Sequence, residues 1–308
     1  MIAKTNYQPN QIAKSLRTKR TNIIGVLAED ILAFPTARII NGISEYMEHT
    51  DYQILLLNLR MLDSLLNQYN QIIHQKDKIR QALSFLIFGT KVDAVIYIGM
   101  FDRDISGVIE NMNKPIIVAY STSSDDHVCS VTYENEAVSA ESARHLIDCG
   151  HRRIAVITGL ADTAPAQKRL HGINTAFKEA GLVLDNALVK HGDWERASGY
   201  SCMKELLEHK PTAVLAMNDF MAIGAMEAIK DAKLRVPEDV SVMGFDNREV
   251  SDFVFPKLTT VEINLKAIGF AAAQAAAEKL SDDGQYANES SVIIPSRLIL
   301  RDTVAQIL

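Results

Sequence analysis

Short runs of apolar and β-branched residues alternate with stretches of helical spacing along most of the chain. The runs fall at 22–28, 52–58, 92–99, 115–120, 153–159, 187–192, 212–217 and 240–245. Between them apolar residues recur at helical spacing, as Ile39, Ile43 and Met47 do. Strands that alternate with helices are typical of parallel sheets built from βαβ units. Four strands in each half, at similar spacing, predict two copies of one α/β architecture.

The stretch 61–88 has an unusually long helical pattern. Leu65, Ile72, Ile79 and Leu86 repeat at intervals of seven positions. A heptad pattern this short is more typical of a helix packed on a sheet than of a coiled coil. We therefore predict a long helix packed against the first sheet.

After residue 245 the pattern changes. It predicts a strand at 258–264, an alanine-rich helix at 268–280 and a last strand at 292–300, with a polar turn before the last strand. The small side chains of this helix allow it to pack closely against a neighbour.

Composition adds a strong asymmetry of charge. At 308 residues, with 47% hydrophobic residues, the chain is long enough for about two domains with sizeable cores. Five Lys or Arg and no Asp or Glu lie in the first 28 positions, although the net charge of the whole chain is −6. Without those five, 27 basic residues stand against 38 acidic ones, which gives a net charge of −11. The start therefore has the composition of a nucleic-acid-binding arm, whereas the acidic body would not hold nucleic acid unaided.

Cysteine usage and the lack of long apolar runs indicate the compartment. Cys129, Cys149 and Cys202 form no CxxC pair, which favours a reduced protein over a disulfide scaffold or a zinc site. No apolar run follows the first charges, and no segment approaches about 18 uninterrupted apolar residues. We therefore expect a cytoplasmic protein.

The opening stretch combines a short basic helix with a strand. Pro9 and Asn10 are helix-start signals for the segment QIAKSLRTK, which places Leu16 on an apolar side and Lys14 and Arg17 opposite. A helix of about two turns is marginal in water, so we expect it to be ordered only when something docks against it. The basic composition points to an anion as that partner.

Several blocks in register resemble the lactose-repressor (LacI/GalR) family of bacterial transcription regulators. They are YQPNQIAKSLRTKRTNIIGVL at 7–27, GHRRIAVITG at 150–159, PTAVLAMNDFMAIGAMEAIKD at 211–231, VPEDVSVMGFDN at 236–247 and PKLTTV at 256–261. Long blocks in the same order are far more specific than one short motif, and together they cover nearly the whole chain. A complete family member carries a helix-turn-helix before the hinge, whereas here only MIAKTN precedes Tyr7. Either the sequence is trimmed or the natural chain has lost its helix-turn-helix.

The resemblance implies an α/β fold of two Rossmann-like, periplasmic-binding-protein-like lobes with parallel sheets, joined by a triple-crossover hinge. The implied ranges are 1–21 for a hinge helix and basic arm, 22–131 plus 263–284 for an N-terminal lobe, and 132–262 plus 289–306 for a C-terminal lobe. It also implies a homodimer through side faces of both lobes, with helices near 36–49 and 220–230 as candidates.

For DNA, the resemblance implies that two hinge helices of a dimer lie in a widened minor groove. Leu16 of each would wedge into a central base step, and the implied contact residues are Leu16, Lys14, Arg17, Ser15, Lys19 and Arg20. Because base readout in the major groove belongs to the helix-turn-helix, we expect only weak, unselective DNA binding from the chain as given.

Polar and aromatic residues stand where the predicted strands end. In open parallel sheets ligands bind beyond the carboxyl ends of the strands. We expect the effector contacts to be Asp246, Trp194, Asn218, Arg169, Phe34, Tyr120, Asp30 and Met100. Carboxylates, amides and flat aromatic faces suit a neutral polyhydroxylated ligand, and Arg169 adds a forked donor. The predicted partner is therefore a sugar or sugar derivative, with a nucleobase as a further possibility.

Each of these residues also has a structural interpretation. Trp194 is the single tryptophan and could belong to a core, and Asp246 could only terminate its strand. Asn218 and Asp219 could cap the helix that follows, and we expect one to cap while the other points inward, with Asn218 as the ligand contact. Arg169 could be a surface ion-pair partner.

Two departures from the family pattern concern the N-terminal lobe. The family often has Asn-Pro-Phe-Phe where this chain has AFPT at 33–36, and Asp-Arg where it has Tyr120 and Ser121. Because these substitutions fall in the N-terminal-lobe half of the site, they argue for an effector unlike those of the best-known members.

Enzyme classes are disfavoured by the sequence. It contains no GxSxG, HExxH, Walker or GxGxxG motif, and its eight histidines show no metal-ligand spacing. We therefore expect no catalysis, cofactor or metal. The alternative class is a free-standing sugar-binding protein of the periplasmic type, against which the missing signal peptide and the basic arm count.

Overall fold

The computed structural model describes residues 20–62, 72–281 and 285–307. The chain divides into two compact units, unit 1 with Met1–Thr132 and Leu265–Ile294, and unit 2 with Tyr133–Asn264 and Pro295–Leu308. The chain therefore passes from one unit to the other three times. Within the described ranges, no helix combines the length and apolar character needed to cross a membrane.

Unit 1 is built on a six-stranded sheet. Its strands are β1 (Ile23–Ala28), β2 (Gln53–Asn58), β3 (Ala94–Ile98), β4 (Ile116–Ala119), β5 (Val128–Tyr133) and β11 (Ser291–Ile294), in the spatial order β11-β5-β4-β3-β1-β2. Neighbours from β2 to β5 pair in parallel. β3 and β4 are buried along their whole length, as expected for β-branched strands covered by helices on both faces. The helices of this unit are α1 (Thr36–Met47), α2 (Lys76–Ser84) and α8 (Leu265–Ser281).

Unit 2 contains a four-stranded parallel sheet and a small antiparallel pair. The parallel strands are β6 (Ile154–Thr158), β7 (Val189–His191), β8 (Ala213–Ala216) and β9 (Ser241–Met243), in the order β7-β6-β8-β9. The antiparallel pair is β10 (Thr260–Glu262) with β12 (Arg297–Ile299). The helices are α3 (Asn135–Asp148), α4 (Ala164–Glu179), α5 (Arg196–Leu206), α6 (Asp219–Asp231) and α7 (Val250–Phe253).

The eight strands predicted from apolar runs are confirmed, and so is the α/β fold with parallel sheets. The sequence pattern missed β5, whose VCSVTY alternates apolar and hydroxyl side chains although the whole strand is buried. The predicted single strand at 292–300 is wrong. It is two strands, β11 in unit 1 and β12 in unit 2, separated at Pro295, which lacks a backbone N–H for a ladder. The predicted C-terminal lobe range 289–306 includes β11, but β11 belongs to unit 1, so this part of the predicted range is wrong.

The predicted long helix at 61–88 is not continuous in the described part. A 3₁₀ turn at Ile72–Gln75 leads into α2, which ends in a π-helical turn at Phe85–Gly89. Ile79 and Leu86 are buried in the core of unit 1, which confirms packing on the sheet. Leu65 lies outside the described residues.

Candidate functional site

The strand ends of unit 2 converge on one buried guanidinium, that of Arg169 in α4. Its Nε donates to the Asn135 side-chain oxygen at 2.7 Å, its Nη2 donates to the Tyr133 hydroxyl at 3.1 Å, and its Nη1 donates to the Met217 carbonyl. The guanidinium carbon lies 3.6 Å from the ring centroid of Phe245, a cation–π arrangement. Arg169 is 3% exposed, so its interpretation as a surface ion-pair partner is wrong.

Asp246 lies between two guanidinium groups. Its Oδ1 is 3.9 Å from Arg169 Nη2, and its Oδ2 accepts a hydrogen bond from Arg248 Nε at 3.3 Å. Burial raises the pKa of the Asp246 carboxyl, and the charges of Arg169 and Arg248 act in the opposite direction. Asp246 is therefore more than a strand terminator, because it is also the counter-ion of a buried arginine.

Asn218 performs the capping role that the sequence left open between two residues. Its Oδ1 accepts the N–H of Met221 at 2.8 Å, which caps α6, and its Nδ2 donates to the carbonyl of Trp194 at 2.8 Å. One amide thus joins the end of β8 to the segment after β7. Of the pair Asn218 and Asp219, one caps the helix and the other points inward, as expected, with Asn218 as the cap and Asp219 fully buried. The contact of Asn218 with a ligand stays a prediction.

Trp194 is held in an unusual backbone conformation beside Arg169. Its φ is +74°, and its ring lies so close to Gly159 that a Cβ there would be 1.9 Å from Trp194 Cζ2. The Arg169 guanidinium carbon is 5.8 Å from the indole centroid. Trp194 Nε1 is buried and has no hydrogen-bond partner within the described residues. An unpaired buried donor costs about 1–3 kcal/mol, so this N–H is suited to an acceptor that arrives with a ligand.

Three residues of this cluster were not found from the sequence. Tyr133 and Asn135 hold Arg169 from a segment more than thirty positions earlier, and no local pattern signals that contact. Arg248 lies two residues after the strand-end carboxylate of Asp246, and this spacing could have indicated their ion pair. Its guanidinium carbon lies 4.4 Å from the Phe220 ring centroid.

The predicted contact residues of unit 1 are largely engaged in their own loops. Both carboxylate oxygens of Asp30 accept backbone N–H groups at 2.9 Å, from Leu32 and Leu62. Met100 and Tyr120 are 3% and 7% exposed, and Tyr120 has a φ of +68°. Phe34 is partly buried, with the guanidinium carbon of Arg38 6.0 Å from its ring centroid. The shared role of Asp30, Phe34, Met100 and Tyr120 at an effector site stays a prediction.

A buried charged cluster in unit 1 was missed by the sequence analysis. Glu29 is fully buried, and its Oε1 accepts hydrogen bonds from Arg103 Nη2 at 2.6 Å and from the Tyr97 hydroxyl at 2.5 Å. Its Oε2 accepts the backbone N–H of Met100 at 2.8 Å. Burial and the charge of Glu29 hold the pKa of Tyr97 well above its usual value. Glu29 thereby fixes the segment after β3.

Comparison with known proteins identifies the family. A profile described as "Periplasmic binding protein-like domain" matches residues 143–304. The chain is 30% identical to the HTH-type transcriptional repressor PurR of Haemophilus influenzae (strain PittEE), over 100% of this chain and 88% of that protein. It is also 30% identical to catabolite control protein A of Priestia megaterium, over 98% of this chain and 87% of that protein. The chain belongs to the LacI/GalR family of transcriptional regulators.

A solved structure of the LacI/GalR family agrees with the fold. The sugar-binding transcriptional regulator of this family from Escherichia coli, complexed with phosphate, superimposes with a TM-score of 0.73 and 26% identity, covering 94% of this chain and 100% of that one. Together with the relatives, it confirms the family drawn from the sequence blocks.

Residues 20–22, which follow most of the predicted basic arm, are anchored to unit 1 by hydrogen bonds. The predicted DNA contacts Leu16, Lys14, Arg17, Ser15 and Lys19 lie outside the described residues. Arg20 Nη2 donates to the carbonyl of Leu280 at 3.0 Å, near the end of α8. The carboxylate of Asp93 accepts the backbone N–H groups of Thr21 and Asn22 at 2.8 to 3.2 Å. The arm therefore leaves unit 1 from a fixed position, and a phosphate contact of Arg20 stays a prediction.

Proposed function

We propose that this LacI/GalR-family protein is a cytoplasmic, ligand-responsive repressor of carbohydrate-related genes that senses a small sugar-like effector. The observation that carries the proposal is the cluster at the strand ends of unit 2, where Asp246, Trp194, Asn218 and Arg169 come together. A carboxylate can accept hydrogen bonds from two vicinal hydroxyls, and an indole offers a flat apolar face to a sugar ring. The related Escherichia coli regulator is described as sugar-binding. No enzymatic role is part of the proposal.

The remaining predicted contacts belong to unit 1. Phe34, Tyr120, Asp30 and Met100 complete the effector site in this proposal, on the strength of the family resemblance alone. A nucleobase is the second candidate effector, because the same flat indole and amide groups suit a planar ring. The alternative class is a free-standing sugar-binding protein without DNA function.

The effector proposal predicts a ligand-dependent stabilisation that requires the Asp246 carboxylate. The protein is screened by thermal unfolding against D-glucose, D-ribose, cellobiose, D-glucose 6-phosphate and adenine. A compound at 100 times its Kd should raise the free energy of unfolding by about 2.7 kcal/mol. Asp246→Asn should remove this increase, because the amide has no charge and one acceptor oxygen, whereas the carboxylate offers two charged oxygens to vicinal hydroxyls. The single tryptophan, Trp194, provides a fluorescence signal for the same titration.

The matched control for this screen is Asp252→Asn. Asp252 is an exposed carboxylate of unit 2 that pairs with Lys257 at 3.0 Å, so its loss should leave ligand stabilisation unchanged. Asparagine is used at position 246 because it keeps the size of the side chain and one acceptor oxygen, whereas alanine would remove both. A full ligand response in Asp246→Asn would refute the assignment of Asp246.

We include a homodimer in the proposal, but the structure changes which surfaces support it. A glycine in each of the two candidate helices packs closely against another helix of the same unit. A Cβ on Gly42 of α1 would lie 1.9 Å from the Lys266 carbonyl oxygen, and one on Gly224 of α6 would lie 2.0 Å from the Arg196 carbonyl oxygen. Phe253 and Phe255 of unit 2 are 79% and 92% exposed, and this apolar pair is a further candidate for subunit contact. Sedimentation at micromolar concentration tests the dimer, and a species of 34.1 kDa would contradict it.

For the basic arm, we propose the minor-groove role that the family resemblance implies. When the chain is preceded by a helix-turn-helix, operator binding should fall steeply with salt, because Lys14, Arg17 and Lys19 would neutralise phosphates. Leu16→Ala should weaken operator affinity by about tenfold or more, since unstacking a base step needs the wedge that it removes. Electrophoretic mobility shifts measure this. Unchanged operator affinity with a lower melting temperature would instead place Leu16 in the packing of its own domain.

A further inference from the structure

The turn that presents Asp246 is strained. Asp246 and Asn247 are consecutive non-glycine residues with φ of +105° and +48°. Positive φ is unfavourable for L-residues, and such conformations persist only where the surroundings fix them. Some group near the end of β9 must therefore hold this turn in place.

The carboxylate of Asp219 contacts the turn and the strand beside it. Its Oδ2 accepts the backbone N–H of Arg248 at 2.7 Å, and its Oδ1 accepts the Thr260 hydroxyl at 2.5 Å. The Thr260 Oγ1 in turn accepts the N–H of Asn247 at 3.4 Å. The N–H of Asp246 donates to the Val261 carbonyl at 2.8 Å. The turn is thus attached to α6 and to β10 together.

Burial sharpens the role of Asp219. Both Asp219 and Thr260 are fully buried. A Cβ on Gly244 would lie 2.4 Å from Asp219 Oδ1, so the strand that enters the turn has a residue without a side chain where the carboxylate approaches. A carboxylate at the start of a helix commonly serves that helix. Here Asn218 provides the cap, and the Asp219 carboxylate accepts hydrogen bonds from the turn and from β10.

We infer that Asp219 is a positioning residue of the effector site, which holds the strained turn so that the Asp246 carboxylate is fixed beside Arg169. The inference rests on the proposed function for its biological meaning. Its structural part, that Asp219 fixes the turn, is independent of any effector. No ligand contact is assigned to Asp219.

The charge state of Asp219 should make the strength of its hydrogen bonds to the turn depend on pH. Burial, together with the charge of Asp246, raises the pKa of Asp219 to about 7. The charged groups that face it are Asp246 and Arg248, and Thr260 contributes a hydroxyl from β10. A carboxylate accepts a stronger hydrogen bond than a neutral carboxyl, so the Arg248 amide should be better protected above pH 7 than below it.

Hydrogen exchange of the ligand-free protein tests whether Asp219 holds the turn at 246–248. In Asp219→Ala, the amides of 246–248 should exchange about tenfold faster or more, the effect of losing a charge-assisted hydrogen bond. Amides of β6 and β7 should keep their protection. Asp219→Asn, which keeps one acceptor for the Arg248 N–H, should restore part of the protection and abolish its dependence on pH between 6 and 8. Asp231→Asn, at the exposed end of the same helix, is the control and should change nothing at 246–248.

Thr260→Val supplies a second variant if Asp219→Ala does not fold. It removes the hydroxyl that donates to Asp219 and keeps the shape of the side chain. The amides of 246–248 should therefore also exchange faster, but by a smaller factor than in Asp219→Ala. Unchanged exchange at 246–248 in these variants, or a uniform increase across unit 2, would overturn the inference.

A parallel titration with D-glucose, cellobiose and D-glucose 6-phosphate separates the inference from the proposed function. A sugar that binds the wild type should bind Asp219→Ala more weakly and Asp231→Asn equally well. If no sugar binds the wild type while 246–248 still loosen in Asp219→Ala, the effector proposal fails and the positioning of the turn stands. Equal sugar affinity in wild type and Asp219→Ala would overturn the link between Asp219 and the site.

Discussion

Replacing Glu29 by alanine is expected to lower the free energy of unfolding by about 3–5 kcal/mol, the usual effect of removing one partner of a buried ion pair. Glu29 and Arg103 are 0% and 3% exposed, and their side chains are 2.6 Å apart. The substitution would leave the Arg103 charge in a dry environment and would also strip the Tyr97 hydroxyl and the Met100 N–H of an acceptor. Chemical unfolding followed by circular dichroism measures the change.

The control for Glu29 lies in the same unit. Glu110 is partly exposed, and its Oε1 lies 3.9 Å from Lys76 Nζ and 3.8 Å from Arg80 Nη1, so Glu110→Ala should cost less than about 1 kcal/mol. A double substitution, Glu29→Leu with Arg103→Met, should recover part of the loss, because apolar replacement of a whole buried pair is often tolerated. Equal effects of Glu29→Ala and Glu110→Ala would show that the buried cluster contributes little.

The second large effect is expected in unit 2 from Arg169→Met. The substitution removes the guanidinium that bridges Asn135, Tyr133 and the Met217 carbonyl, and it leaves the Asp246 charge facing only Arg248. We expect a loss of about 3–5 kcal/mol, together with the loss of effector-induced stabilisation. Trp194 fluorescence reports the unfolding of unit 2 directly, because it is the single tryptophan and packs against that core.

Arg144→Met is the matched control for Arg169. Arg144 pairs with Glu179 at 3.3 Å on the surface of the same unit, and its loss should change stability by less than about 1 kcal/mol. If Arg169→Met unfolds like wild type but no longer responds to any effector, Arg169 acts on the ligand alone and its structural role is refuted.

The sequence predicts this fold well because strand formation here depends on local pattern. Runs such as AVIYI in β3 and IIVA in β4 are apolar without interruption, which is what a parallel strand buried on both faces requires. β5 was missed because its hydroxyl side chains imitate an exposed strand. The last strand was merged because the pattern does not show that Pro295 divides segments belonging to different sheets.

The sequence named Asp246, Trp194, Asn218 and Arg169 as candidate site residues, but not the contacts that bring them together or the residues Tyr133, Asn135 and Arg248. Strand ends mark Asp246 and Trp194 in any open parallel sheet. The partners of buried charges are set by tertiary packing, as with Glu29 and Arg103, which are 74 positions apart. The roles of Asn218 and Arg169 depend on hydrogen bonds to remote segments, and no spacing rule reveals those contacts.

The three passages of the chain between the units have a consequence for synthesis on the ribosome. Unit 1 needs α8 and β11, and unit 2 needs β12, so both wait for residues that lie after position 264. A nascent chain that ends near residue 264 carries nearly all of unit 2 but lacks β12, and its unit 1 lacks α8 and β11. Domains usually complete in order from the N-terminus. In this protein the first unit to begin is completed only when β11 emerges, and residues 295–308 then supply β12, the strand that completes the second unit.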